Sequence, residues 1–414
     1  MLDELSIHSL AKKLDTREEK IVEGLLGYKN VQEKFSPYNP FILNPKEIEE
    51  ELVGDRSCLD SFNSLAMPLE YLNWHLGQIV LDNPPGQSDE EIKDWMSKVF
   101  NLTSIAAVDA STVEHDLHLN LLYAYTQIGV FWKTIGRYKK RITGDVKVGD
   151  ELYQTKRNFV LYDHVDYQKW NWDLTIDVLR EHFTDNMPFF LFLDESLSIS
   201  YARNYTYDRQ AFLLSSLQQY LRQLDGLSII PVAVYHSLDR CLVNTGLKCS
   251  ACKIQDMCKN CDVKPSQEEI LFKTLYDKFF LWNILVDNYS RTPYFRPLNS
   301  VIAKSCSDIK LDLASFYLRI DDSILRVEFP FKYVMEDKDN VEKIRRAVVA
   351  DSLLIKGYPA TLANAHELAV LSAQDRSTIN ELVYRKTLEL SKKYGLDISV
   401  KFTRKGELKR RRLL

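Results

Sequence analysis

Along this chain, short apolar runs alternate with stretches of helical period. SIAAVDAS (104–111) is a brief apolar run that ends in an acid. Segments 117–132 and 152–164 are rich in aromatic and β-branched residues, as strands are. Between them RITGDVKVGDE (141–151) holds two glycines and is expected to turn. Helical periodicity over 167–183 leads into FFLFLDES (189–196), a short buried strand that also ends in an acid. A helix (207–224) and an apolar strand (227–236) follow. After a cysteine-rich stretch (241–265), the pattern predicts a helix over 268–287 and a hairpin over 314–329, with Asp321 and Asp322 at its turn. Helices from Val341 to Ile355 and from Pro359 to Tyr394 come last. Three strands in succession, then alternating helices and strands, predict an α/β fold: a mixed sheet flanked by helices. Residues 1–100 look different, polar and helical. KEIEEEL (46–52) is acidic, and SDEEIKDWMSKVF (88–100) opens with Ser88 as an N-cap. Asn83-Pro84-Pro85-Gly86 breaks the region between them, and no internal repeat or low-complexity tract is visible.

Composition narrows the chemistry. The chain has 414 residues, 45% hydrophobic and 27% charged, enough for one large or two ordinary domains. A net charge of −4 does not announce a nucleic-acid binder. There are 14 glycines, roughly half the usual ~7%. No pair of them makes G-x-G, and Gly144 and Gly149 have P-loop spacing but are followed by Asp150 instead of Lys. No G-x-S-x-G elbow is present either. Nucleotide-binding and hydrolase readings built on glycine loops are therefore excluded. The first residues lack an apolar signal segment, and no uncharged run approaches the ~20 residues that span a bilayer. The expectation is a soluble, cytoplasmic protein with no membrane role.

Two apolar strands end in aspartate, Asp109 and Asp194. A carboxylate in such a place is costly unless something pairs it. A turn or helix cap is one partner, and Mg²⁺ or Mn²⁺ is another. Together on one sheet, the two favour a metal site. The helix between them carries Asp173, Asp177 and Glu181 every four residues, hence on one face. That face is either solvated or supplies a third acid to a two-metal constellation for phosphodiester hydrolysis. Late in the chain, Tyr358-Pro359 opens a helix that carries His366 near a face of small and apolar residues. His366 is either a satisfied core histidine, a metal ligand or a general acid/base.

Taken in order and spacing, VDAS (108–111), LDES (193–196), RVEFP (326–330) and GYPATLANAH (357–366) resemble the NurA nuclease family. The resemblance covers roughly residues 104–376, and its most specific part is the G-Y-P-x-x-L-x-x-A-H string after R-V-E-x-P. It implies an RNase H-like fold and a manganese-dependent nuclease acting on single-stranded DNA and on duplex DNA from the 5′ end. It implies a homodimer working with the hexameric HerA helicase-translocase in DNA end processing. By position, the resemblance makes Asp109 and Asp194 metal-binding carboxylates, with Tyr358 and His366 in the same active site. The family's helix carboxylate is usually Glu; Asp177 fits its spacing and Glu181 its residue type one turn later. Where relatives usually have Gly after the strand acids, this chain has Ala110 and Glu195, and Tyr235-His236 occupy a strand end where Lys is frequent. Such departures keep a second class open, a non-catalytic DNA-binding adaptor docked on a translocase. An RNA-directed nuclease is a third.

The resulting organisation is a helical region (1–100), a nuclease domain (101–400) and a basic tail (401–414). Within the domain, Cys249, Cys252, Cys258 and Cys261 read C-x2-C-x5-C-x2-C, a four-thiolate set for structural Zn²⁺ or an iron–sulfur cluster, with Cys241 as a spare ligand. The tail has seven basic residues and one Glu, suited to DNA phosphates or simply solvated.

Overall fold

Two-sided burial organises the chain into one large sheet. The computed structural model describes residues 11–23, 64–69, 88–115, 121–134, 137–155, 160–182, 189–237, 240–242, 276–299, 312–355 and 357–395, with positions 26, 29 and 84. In chain order its strands are β1 (Ser64–Pro68), β2 (Ser104–Val113), β3 (Tyr123–Thr134), β4 (Arg137–Val148), the short β5 (Tyr153–Thr155) and β6 (Val160–Leu161), β7 (Phe189–Leu193), β8 (Ile229–Tyr235), β9 (Phe295–Asn299), β10 (Leu313–Ile320) and β11 (Ser323–Pro330). Nine of them form one sheet in the order β1-β9-β10-β11-β8-β7-β2-β3-β4, while β5 and β6 pair apart. β2, β7 and β8 run parallel to one another, and every other pairing in the sheet is antiparallel.

Parallel central strands covered on both faces read as unbroken apolar runs. In β2, Ile105 and Ala107 face one core and Ala106 and Val108 the other; in β7, Phe192 and Leu191 divide the same way. One face is covered by α1 (Asp89–Leu102), α6 (Asn340–Ser352) and α7 (Ala360–Ala369), and the other by α2 (His164–His182) and α3 (Tyr207–Gly226). Further helices among the described residues include α4 (Asp277–Leu281), α5 (Lys332–Glu336) and α8 (Ala373–Tyr394). Ser88 caps α1 as its sequence predicts, its Oγ accepting from the Glu91 N–H at 3.2 Å.

Several boundaries differ from expectation for physical reasons. Residues 141–151, expected to turn, lie mostly in β4. Tyr138, Ile142, Val146 and Val148 do alternate with polar residues along that exposed edge strand, but Gly144 and Gly149 read as turn residues. Segment 152–164 supplies only the β5–β6 ribbon. Ser64–Pro68, in a region read as helical, is a strand paired with β9. Of the helix expected over 268–287, the described residues contain only α4. The helix expected over 359–394 is two, broken between Ala369 and Ala373. The hairpin forms as expected, with Asp321 at its turn in the left-handed region (φ +49°) and Asn288 bonded to it. KEIEEEL, the four-cysteine cluster and the basic tail lie outside the described residues. Among the described residues, no helix is long and apolar enough to cross a membrane.

Candidate active site

Parallel pairing of β2 with β7 runs in register to Val108 and Leu193. The next residue after each is an aspartate, so Asp109 and Asp194 stand side by side where the parallel pairing ends, Asp194 just past β7 and Asp109 within β2, which was expected to end there but continues to Val113 against β3. The carboxyl end of parallel pairing is where open α/β sheets place their ligands.

The opposite wall comes from far along the chain. α7 lies directly across β2 and β3, and one glycine permits the approach. A Cβ at Gly129, the register partner of Asp109, would stand 2.6 Å from both the Ala365 carbonyl oxygen and the Ala369 nitrogen. A glycine inside a strand marks such a close approach, and this signal was available in the sequence. The α7 N-terminus is fixed by Asp351 at the end of α6, whose buried carboxylate accepts from the Thr361 N–H at 2.8 Å and Oγ1 at 2.7 Å. So placed, α7 brings His366 Nδ1 to 2.7 Å from Asp109 Oδ2. A carboxylate only accepts, so Nδ1 is the donor, and in the neutral imidazole Nε2 then carries the lone pair. The His366 side chain is 63% exposed and so is not a core histidine. Asp109 Oδ1 also accepts from the Ala110 N–H at 2.8 Å.

Tyr358 lies beside Asp194. Its buried hydroxyl closes no hydrogen bond of good geometry, yet stands near enough to Asp194 to favour that carboxylate's charge as a donor. Burial raises the tyrosine pKa, and the nearby Asp194 charge raises it further. Asp194 itself is held above the usual carboxylate range, first by desolvation and then by the Asp109 charge, while Tyr358, His366 and His236 pull the other way. His236 stacks on Tyr358 with ring centroids 5.9 Å apart and planes 15° from parallel. Its pKa is lowered by burial and by Lys278.

Glu195, the residue standing where relatives usually have Gly, turns toward α2. Its Oε2 accepts from Gln168 Nε2 at 2.6 Å and its Oε1 from Trp172 Nε1 at 2.9 Å. Burial, together with the Asp109 and Asp194 charges, raises its pKa against those two hydrogen bonds.

Two cavities meet here. One, of about 130 Å³, is lined by Asp109, Asp194 and Glu195, and by Gln168, Asn171 and Thr175 of α2. The other is an open depression of about 560 Å³ that shares Asp194 and Glu195. Its walls are four rings, Tyr201, Tyr235, His236 and Tyr358.

The structure therefore brings together Asp109, Asp194, Tyr358 and His366. It does not bring Asp177 or Glu181. Both are exposed on the outer face of α2, and Asp177 lies 3.9 Å from Arg180. Asp173 pairs with Lys169 on that side. The face of α2 turned to the cavity presents neutral amides and a hydroxyl instead. Cys241, expected as a spare ligand, has a buried thiol that donates to Asp277 Oδ2 at 3.1 Å.

No curated protein is a significant match to the chain. Among solved structures it is similar to NurA with manganese, at 13% identity over 89% of this chain and 98% of that one, with a TM-score of 0.37. It is similar to NurA bound to dAMP and manganese at 13% identity, over 89% and 97% of the two chains, with a TM-score of 0.37. To the catalytic domain of human Endonuclease V it is 14% identical, over 75% of this chain and all of the other, with a TM-score of 0.29. The model of the NurA domain family matches residues 103–371, well over half the chain. That span takes in Asp109, Asp194 and the Tyr358–His366 segment, and the chain belongs to the NurA domain family.

Proposed function

We propose that this protein is a divalent-metal-dependent deoxyribonuclease with an RNase H-like sheet, using Mn²⁺ or Mg²⁺. The observation that carries this reading is the pair Asp109 and Asp194, neighbours where the parallel pairing ends, faced by Tyr358 and by His366 of a helix built to approach them. The donor chemistry suits such a cation: two carboxylates, one imidazole and a buried hydroxyl that closes no hydrogen bond of good geometry. Among the described residues, no three His, Cys, Asp or Glu side chains stand close enough to hold an ion unaided. Completing the shell would fall to phosphate oxygens and water, as Mg²⁺ sites commonly require. A cation held there supplies Lewis-acid stabilisation of the scissile phosphate and a more acidic water. Asp109 fixes the His366 ring through Nδ1, which presents Nε2 to take up or return a proton. Tyr358 stays protonated, since burial and Asp194 push its pKa up, and so serves as a hydrogen-bond donor to a phosphate oxygen.

With this reading go single-stranded DNA and 5′ duplex ends as substrates, a HerA-type hexameric translocase as partner, a homodimer, and a cytoplasmic role in repair or defence. The tail 401–414 would neutralise phosphates. Cys249, Cys252, Cys258 and Cys261 would hold structural zinc, or an iron–sulfur cluster, which the metal content of purified protein tests.

One observation favours a second reading. The cavity face of α2 offers Gln168, Asn171 and Thr175 where a helix carboxylate was expected, which suits a DNA-binding adaptor without cleavage. A single assay separates the two. Labelled single-stranded DNA is incubated with Mn²⁺, Mg²⁺ or EDTA. The nuclease shortens it only with metal, and Asp109→Ala loses about 10³-fold or more of that rate while its circular dichroism is unchanged. Wild-type cleavage by the variant sinks the assignment, and binding without cleavage in all three conditions selects the adaptor.

A further inference from the structure

We propose that the open depression beside Asp194 is a stacking subsite for one unpaired nucleobase of a single strand, with Tyr201 and His236 as its stacking rings. The inference rests on the nuclease reading, because it places a base next to carboxylates that would act on the attached phosphate.

Four observations support it. First, the depression is walled mainly by ring carbon, and its volume of about 560 Å³ lies within the roughly 300–1,000 Å³ of small-ligand sites. Second, two of its rings are exposed. Tyr201 is 40% exposed, and His236 is exposed while lying flat on Tyr358. A stack of nearly parallel rings is a platform on which another flat ring lies favourably. Third, Asp194 lines both this depression and the carboxylate cavity, so a nucleotide with its phosphate at Asp109 and Asp194 has its base within reach of the rings.

Fourth, the wall carrying Tyr201 is held rigid. Ile199, a β-branched residue, sits at φ +44°, a left-handed conformation that is strained for such a side chain. The surrounding turn is clamped from beneath by Glu328. Its Oε2 accepts from the Ser198 N–H at 3.0 Å and Ser196 Oγ at 3.2 Å, and its Oε1 meets Arg326 Nη2 at 2.7 Å. The whole pair is buried. A preset wall lowers the ordering cost of binding.

A base held in a helix stack cannot enter such a depression, so the substrate presents a single strand or a frayed end. Ring stacking accepts any base, so the subsite is sequence-tolerant.

The test uses the full-length protein in EDTA, where no cleavage occurs. Short single-stranded oligonucleotides carry an abasic site moved one position at a time, and affinity is read by fluorescence anisotropy. At one position the abasic site is expected to weaken binding about 10-fold or more. Tyr201→Ala and His236→Ala should each bring abasic and intact strands to parity there, while Tyr201→Phe keeps the difference. Equal binding at every position overturns the proposal, as does no binding, or discrimination that survives both alanine variants. Discrimination without cleavage in the metal assay removes the nuclease and leaves the subsite standing. Cleavage without discrimination does the reverse.

Discussion

Two sets of carboxylates around this one sheet behave in opposite ways. Glu328 on β11 is fully buried and meets Arg326, the Ser198 N–H and Ser196 Oγ. Asp277, equally buried, accepts from Cys241 Sγ at 3.1 Å, the Leu242 N–H at 3.1 Å and the Tyr317 hydroxyl at 2.8 Å. Asp351 is answered on both oxygens by Thr361. Where the parallel pairing of β2 with β7 ends, the accounting is incomplete. Asp109 leans on an exposed histidine, and Asp194 stands beside a hydroxyl that closes no hydrogen bond of good geometry. A carboxylate whose lone pairs are all met by the fold is part of the scaffold. One kept near another charge with its bonds half made is poised for a ligand. Burial and satisfaction go together here: the three satisfied carboxylates are fully buried, whereas Asp109 is half-buried and Asp194 reaches solvent.

Breaking the satisfied set should cost most. Glu328→Gln removes the charge that answers buried Arg326 and weakens the hold on the turn at 196–199. Loss of one partner from a buried pair costs about 3–5 kcal/mol, read as a lower denaturant midpoint. A change under about 0.5 kcal/mol would mean that the clamp is incidental and the comparison false.

Which parts of this were legible beforehand follows from how each residue is buried. Strands covered on both faces wrote themselves as SIAAV and FFLFL, and the acids that follow stood out because each breaks an apolar run, after Val108 and after Leu193. His366 was legible through the small residues around it, which reflect the contact of α7 with β2 and β3. β4 was not, because Gly144 and Gly149 read as a turn and outweighed the alternation of Tyr138, Ile142, Val146 and Val148 with polar residues. The clamp under Ser196–Ser198 was not either, because residues 130 and 132 positions apart meet in it. Helix α2 misled in the most instructive way. Its acids repeat with helical period, but periodicity gives a face and not the direction in which that face points.

Replacing a poised carboxylate should have the opposite sign from replacing a satisfied one. The Asp194 pKa is raised in the folded protein, so folding above that pKa carries the cost of keeping the group charged. The cost is present at neutral pH and is relieved as pH falls through the folded-state value. Asp194→Asn should therefore be more stable than wild type at neutral pH, by less than about 1 kcal/mol given its contact with solvent. The gap should narrow on acidification while cleavage is lost at neutral pH. Melting curves across pH test this. A variant less stable than wild type at neutral pH would place Asp194 among the scaffold carboxylates.

The smallest effect is expected where sequence spacing pointed hardest. On a helix of 3.6 residues per turn, a step of two rotates the side chain by about 200°. Asp173 is two residues from Asn171, and Asp177 two from Thr175, so acids and cavity-lining residues fall on opposite sides of α2. Asp177 is 68% exposed and meets only Arg180 at 3.9 Å among its ion pairs, a contact that water screens. Asp177→Asn and Glu181→Gln should thus change stability by no more than about 0.5 kcal/mol. Metal-dependent cleavage should stay at the wild-type rate in both. A loss in either variant approaching that of Asp109→Ala would mean that α2 turns on binding substrate, and that the open carboxylate set has a third member the unliganded fold keeps facing outward.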